Sequence, residues 1–336
     1  MASNQEIQNN FFQVLKTRIP TNHSFVDEIS EALNLSTDSA YRRIRGETLL
    51  TLQEITVLCK KYSISLDALL GNSTYSVTFD YYPIDNERLT LRKFLEMVSN
   101  DFKEADKAGS VEVIYLARDM PIFYLFQFPE ICAFKIYFWN LLYQDPNHKT
   151  EKFNLDQVDK NSIDLCRFIW DEFVKVPSIE IWGVPTFDAI LDEIDFLWES
   201  LLFESKDIAL RVCDKVTQLL SHVKKQAELG YKFSDGNPVG GKPGNFQLYY
   251  TDFQLTHNKI MINGDIKRIY ISQSLDTIIT TNPFFFERNY ASISNALKRS
   301  TLISRVGEKE RNQFINKCQR KIDILRNKIQ MSDDFT

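Results

Sequence analysis

Histidine is scarce in this chain. Four occur in 336 residues, at His23, His148, His222 and His257. No two are spaced i,i+4, so the helical histidine pair that grips a zinc ion is missing. Cysteine is little richer. Cys59, Cys132, Cys166, Cys213 and Cys318 each stand alone in apolar, helix-like surroundings. That pattern predicts buried free thiols in a reducing compartment, not a disulfide frame or a metal knuckle. No metal site and no cofactor is expected. An excess of positive charge is also absent: 40 Lys+Arg face 45 Asp+Glu, a net charge of −5. A chain-wide basic footprint is excluded, so any nucleic-acid contact must come from a local patch. Long hydrophobic runs are missing too. The nearest, Met120 to Tyr143, is broken by Pro121, Pro129, Glu130 and Lys135. It falls short of the roughly 18 uncharged apolar residues of a membrane span. The opening "MASNQEIQNNFFQVL" has no basic segment leading into an apolar one, so no signal peptide is expected. A cytoplasmic protein without a membrane partner follows as the expectation.

What is present is core material. The chain is 43% hydrophobic, with 25 Phe and 14 Tyr. Its length suits two or three domains of roughly 100–200 residues each.

Helix signals crowd the first seventy residues. Glu6 to Ile19 puts Ile7, Phe11, Val14 and Leu15 on one stripe, and Pro20 stops it. Ser24 caps a second helix, with Asp27 three residues on and Val26, Ile29 and Leu33 facing inward. Asn34 stands at a sharp turn, where a residue tolerant of the left-handed region is needed. Ser36 caps a third helix that ends at Gly46. Thr51 and Glu54 form a capping box opening a fourth, and Ser65 to Leu70 reads as a short fifth closed by Gly71. A tight turn between the second and third helices describes a helix-turn-helix domain.

The stretch "FVDEISEALNLSTDSAYRRIRGETLLTLQEITVLCKKYSISLDALLG" resembles the lambda-repressor-like (Cro/CI, or XRE) helix-turn-helix domain of transcriptional regulators. The resemblance covers residues 24–71 well and 6–23 loosely. Two positions depart from the family pattern. Asn34 replaces the usual turn glycine, and Arg43 precedes Ile44 where an apolar and then an acidic residue are usual. Ala40 and Ile44 must therefore form the buried stripe of the third helix. The resemblance implies DNA binding by Ser36, Thr37, Asp38, Ser39, Arg42, Arg43 and Arg45. Arg42 and Arg43 would fork onto guanine in the major groove, and Ser36 with the helix N-terminus would hold a phosphate. Arg45, Lys16, Lys60 and Lys61 would contact further phosphates. The competing reading is a plain solvated face, since residues 1–72 hold seven basic against eight acidic side chains.

The remainder reads as mixed. Asn72 to Phe79 passes from linker to strand, Leu89 to Ala108 is an amphipathic helix, and Val111 to Ala117 is a strand. Pro129–Tyr143 is expected as a buried helix, with three more over 155–175, 186–203 and 205–229. Residues 230–245 hold five of the eleven glycines, without the Gly-Lys-Ser/Thr ending of a phosphate loop. "FQLYYTDFQL", "KIMI" and "IKRIYIS" then read as an antiparallel meander, with Asn263-Gly264 as a hairpin turn. Helices over about 287–299 and 307–330 close the chain. The expected fold is an all-α helix-turn-helix domain over 1–72 and an α+β domain over 73–336, its strands grouped late rather than doubly wound.

Chemistry is sparse in the second part. Arg118 and Asp119 follow a strand end and could bind a small-molecule effector; a surface ion pair is the plainer reading. The aromatic run Phe123, Tyr124, Phe126, Phe128, Phe134, Tyr137, Phe138 and Trp139 could line an effector pocket or simply be core. A self-cleaving repressor would need a Ser–Lys pair on a mostly β domain, which the helical first half of this region opposes. Ile315, Cys318, Ile322, Leu325 and Ile329 repeat at coiled-coil spacing for two heptads, offering either a dimer seam or packing within the domain. The expected function is a homodimeric, non-enzymatic transcriptional regulator of double-stranded DNA. An enzyme or a protein-interaction module carrying such a domain is the alternative.

Overall fold

The structure is a computed structural model, and it describes residues 3–19, 23–62, 64, 66, 77–82, 91–108, 111–143, 150–158, 160–234, 241–264, 267–273 and 276–332. The chain divides into two compact units, Met1–Phe79 and Asp80–Thr336.

The first unit is helical. Its described helices are α1 (Asn4–Arg18), α2 (Phe25–Leu33), α3 (Thr37–Ile44) and α4 (Leu52–Tyr62). Each begins on a hydroxyl that meets the free N–H groups of a first turn. Ser3 and Glu6 cap each other reciprocally, Ser24 accepts from Asp27 N, and Thr51 exchanges bonds with Glu54. Phe11, Phe12, Leu15, Ile29, Ala40 and Leu58 are buried together in a core of their own. The fifth helix expected over Ser65 to Leu70 lies largely outside the described residues.

The second unit is built on one eight-stranded mixed sheet. In chain order its elements are β1 (Asp80–Tyr82), α5 (Leu91–Ala108), β2 (Glu112–Ala117), α6 (Ile122–Leu125), α7 (Pro129–Tyr143), α8 (Lys160–Phe173), β3 (Ser178–Trp182), α9 (Asp188–Glu199), α10 (Lys206–Leu229), β4 (Phe246–Tyr250), β5 (Asn258–Asn263), β6 (Arg268–Gln273), β7 (Asp276–Thr280), α11 (Pro283–Leu297), β8 (Thr301–Leu302) and α12 (Glu308–Met331). The strand order is β1-β7-β6-β5-β2-β3-β4-β8. β2, β3 and β4 run parallel to their neighbours in that trio, and every other pairing is antiparallel. Period-2 alternation sends Val113 and Tyr115 to the large helical core and Ile114 to a smaller one shared with Phe286 and Ile293 of α11.

Two expectations about the sheet change here, and the two readings of the last helix are decided. The strands are not only late, because β2 and β3 hold the middle of the sheet. Phe246–Tyr250 pairs with β3 in parallel instead of joining the run β5, β6, β7. Parallel strands need helical crossovers, and α6–α8 and α9–α10 supply them, so the centre is wound as in α/β proteins. The heptad-like seam of α12 is buried at Cys318, Ile322, Leu325 and Ile329 and packs on α10 of its own unit. A dimer through that seam would have to unpack the domain core, so homodimerisation has no support there.

Candidate functional site

Helix α3 is fixed at both ends. The Ser36 hydroxyl accepts from Ser39 N at 3.3 Å. At the other end Gly46 turns back with φ +76°, its N–H donating to Arg43 O at 3.0 Å. Before it, Asn34 takes the left-handed conformation (φ 52°, ψ 49°), leaving three residues between α2 and α3. The Ser30 hydroxyl donates to Leu35 O at 2.7 Å and locks the turn. Ala40 is wholly buried and Ile44 half-buried against it. Thr37, Asp38, Tyr41, Arg42 and Arg45 are exposed, as is Ser36, and Ser39 is half-buried.

The two adjacent arginines part company. Arg42 Nη2 lies 3.4 Å from Asp38 Oδ2, with the two side chains 62% and 80% exposed. An open i,i+4 pair of this kind is worth a few tenths of a kcal/mol, ~0.3, so Arg42 is easily released. Arg43 is turned in, contrary to the expected outward face. Its Nε and Nη2 both lie 2.8 Å from Glu54 Oε1, and Nη1 donates to Ser39 O at 3.2 Å. Burying Ile44 brings its neighbour Arg43 round to α4, where Glu54 waits. Burial acts to raise the Glu54 carboxyl, but the Thr51 N–H and Arg43 outweigh it and hold it below its ordinary value.

Two residues of this region were not singled out by pattern. Tyr41 is exposed, and the Arg45 guanidinium lies 5.5 Å from its ring centroid. The i,i+4 spacing of the two was the available signal. Gln8 is buried, donating to Arg43 O at 2.8 Å and Thr48 O at 2.9 Å and accepting from Leu50 N at 2.7 Å. It ties the loop after α3 to α1, and a lone glutamine on an amphipathic helix gives no hint of that. Lys16 and Lys60 are exposed, whereas Lys61 lies 3.4 Å from Glu28. The bonds from His23 Nδ1 and then Tyr62 Oη hold Glu28 down at about 2.

The second unit holds a partly open cavity of about 180 Å³. Val113, Ile260 and Tyr270 of the sheet form one wall, and Phe94, Trp139 and Ile190 of the helices form the other. Of the aromatic run, Phe123 and Trp139 line it, while Tyr124, Phe126 and Phe134 are core. Asp119 lines the cavity and Arg118 does not, although the two form an ion pair. Asn258 holds Asp119 in place: its Oδ1 accepts from Asp119 N at 3.0 Å and its Nδ2 donates to Asp119 Oδ2 at 3.2 Å. Lys135 and Glu193 also line the wall, Lys135 Nζ donating to both carboxylate oxygens at 2.6 and 2.5 Å. Burial pushes Lys135 down and Glu193 up, each opposed by its partner. In the sequence Lys135 only interrupts an apolar run. A lone charge there demands a partner, yet nothing local names Glu193, 58 positions away.

A second buried polar cluster centres on Glu180, which is wholly enclosed. Tyr124 Oη and Ser178 Oγ donate to its Oε1 at 3.0 and 2.8 Å, and Trp182 Nε1 donates to Oε2 at 3.0 Å. Lys232 Nζ donates to Ser178 Oγ at 2.8 Å and lies 3.7 Å from the Phe173 ring centroid. Burial pushes Lys232 down and Glu180 up. This Ser–Lys contact is enclosed in the core and lines no part of the cavity. The glycine-rich stretch 236–244 lies partly outside the described residues.

Among the described residues no His/Cys/Asp/Glu group has metal-binding geometry, and no helix is long and apolar enough to cross a membrane. Comparison with protein-family models, curated proteins and solved structures finds no match.

Proposed function

We propose that the chain is a sequence-specific DNA-binding transcriptional regulator. The carrying observation is the α2–α3 pair: a three-residue turn through Asn34, a capped α3, and an exposed row of Thr37, Asp38, Arg42 and Arg45 opposite buried Ala40. In this reading α3 lies in the major groove. Arg42 exchanges Asp38 for the O6 and N7 of a guanine. Thr37, Ser39 and the N–H groups at the Ser36 end meet phosphate or base edges, and Arg45 serves a phosphate. Arg43 has a different part: paired with Glu54, it fixes α3 on α4. The second unit dimerises the protein, binds an effector, or both. Two copies of α3 then read half-sites about 34 Å apart. An effector acts by favouring one arrangement of the two reading heads.

The test is selection of sites from random duplex DNA by the full chain at two salt concentrations. A two-fold symmetric site should be enriched, with affinity falling steeply as salt rises. No enrichment at either salt overturns the proposal and leaves a protein-interaction module or an enzyme as the reading to pursue.

A further inference from the structure

The cavity in the second unit carries more information than its existence. Three features bear on what would fill it: size, the chemistry of its walls, and which charge it can spare.

Size sets the scale. A dry apolar cavity of about 150 Å³ accepts one benzene. The 180 Å³ here admits one ring and a short arm. The walls are chiefly aliphatic and aromatic, which suits a ring, and the polar groups Asp119, Asn258, Lys135 and Glu193 suit a head group.

Charge then decides the head. Two carboxylates and one ammonium line the wall. The ammonium is committed: Lys135 donates to both oxygens of Glu193, and both side chains are largely buried. Taking Lys135 for an anionic ligand would strand the Glu193 carboxylate in the interior, a costly arrangement. That anion would also face Asp119, whose field reaches both members of the pair. Asp119 is differently placed. Its outer partner Arg118 is 41% exposed and returns to water at little cost. Asp119 can therefore trade Arg118 for a ligand cation while Asn258 keeps it positioned.

We propose that this cavity takes a compact arylalkyl amine, its ring between the sheet and the helices and its ammonium on the Asp119 carboxylate. The proposal rests on reading the second unit as the effector-binding one.

The experiment is titration calorimetry of the full chain with three probes of one shape: 2-phenylethylamine, 2-phenylethanol and 3-phenylpropionate. The amine is expected to bind about tenfold more tightly than the alcohol, and the acid more weakly than either. Asp119→Asn should weaken the amine about tenfold and leave the alcohol unchanged. Arg118→Ala, at a half-exposed side chain outside the cavity lining, should leave amine binding equal or tighter. Equal or tighter binding of the alcohol or the acid overturns the proposal. So does amine binding that Asp119→Asn leaves intact, or no binding of any probe at millimolar concentration. DNA selection is read separately. An enriched DNA site without amine binding overturns only the ligand, and amine binding without a DNA site overturns only the regulator.

Discussion

Arg42 and Arg43 are identical side chains with opposite fates, and the difference is one step of helical rotation. Counting from Ala40, buried, and Ile44, half-buried, fixes which side of α3 faces in, and that much is legible in the sequence. What local pattern does not carry is the partner that captures Arg43, because Glu54 comes from the next helix. The same limit applies to Glu180. Lys232, which bonds the same Ser178 hydroxyl and whose charge opposes the effect of burial on Glu180, lies 52 positions further along the chain. Removing one member of such a buried pair leaves an uncompensated charge. Lys232→Met should therefore cost about 3–5 kcal/mol in urea unfolding, and adding Glu180→Gln should recover most of it. A single variant within about 1 kcal/mol of wild type would show the pair to be energetically idle. Glu28 gives a pH signature. Its carboxyl is held at about 2 in the fold against 4.5 ordinarily. A depressed acid stabilises fully above its unfolded value and loses that contribution as pH falls through the folded one. The thermal midpoint of the first unit should fall between about pH 4.5 and about pH 2, and Glu28→Gln should flatten that fall.

At the scale of elements, capped helices were the most legible feature. Ser24, Ser36, Thr51 and Gly46 each mark an end through a local hydrogen bond or a left-handed turn. Strand partners were the least legible, since pairing is non-local. Ser178–Trp182 is hard to read as a buried strand because a charged Glu180 sits at the centre of its five residues. Sequence order places Phe246–Tyr250 beside β5, whereas its partner is the parallel β3, which local pattern does not name. The aromatic-rich Pro129–Tyr143 helix was legible as buried, yet which of its rings face a cavity depends on where the sheet packs. The turn between α2 and α3 offers a direct test. Asn34 holds φ 52°, which β-branched residues adopt only with strain. Asn34→Val should cost about 1–2 kcal/mol, while Asn34→Gly stays within about 1 kcal/mol of wild type, read from urea midpoints. Equal losses in both would mean that the asparagine side chain, not the backbone, holds the turn.

For the whole molecule, a net charge of −5 makes the local arrangement decisive. If the chain reads DNA as proposed, its net charge gives little general attraction, and the affinity would have to come from oriented groups on α3. That makes Arg42 the sharpest probe. It is exposed, and among the described residues its side chain pairs with Asp38 in an open contact. The most direct measurement compares dissociation constants of wild type and Arg42→Ala for the enriched duplex and for a scrambled duplex of equal length. The DNA-reading account predicts a loss of about 1–3 kcal/mol on the enriched duplex and a much smaller loss on the scrambled one. No loss, or the same loss on both, would contradict base reading by α3.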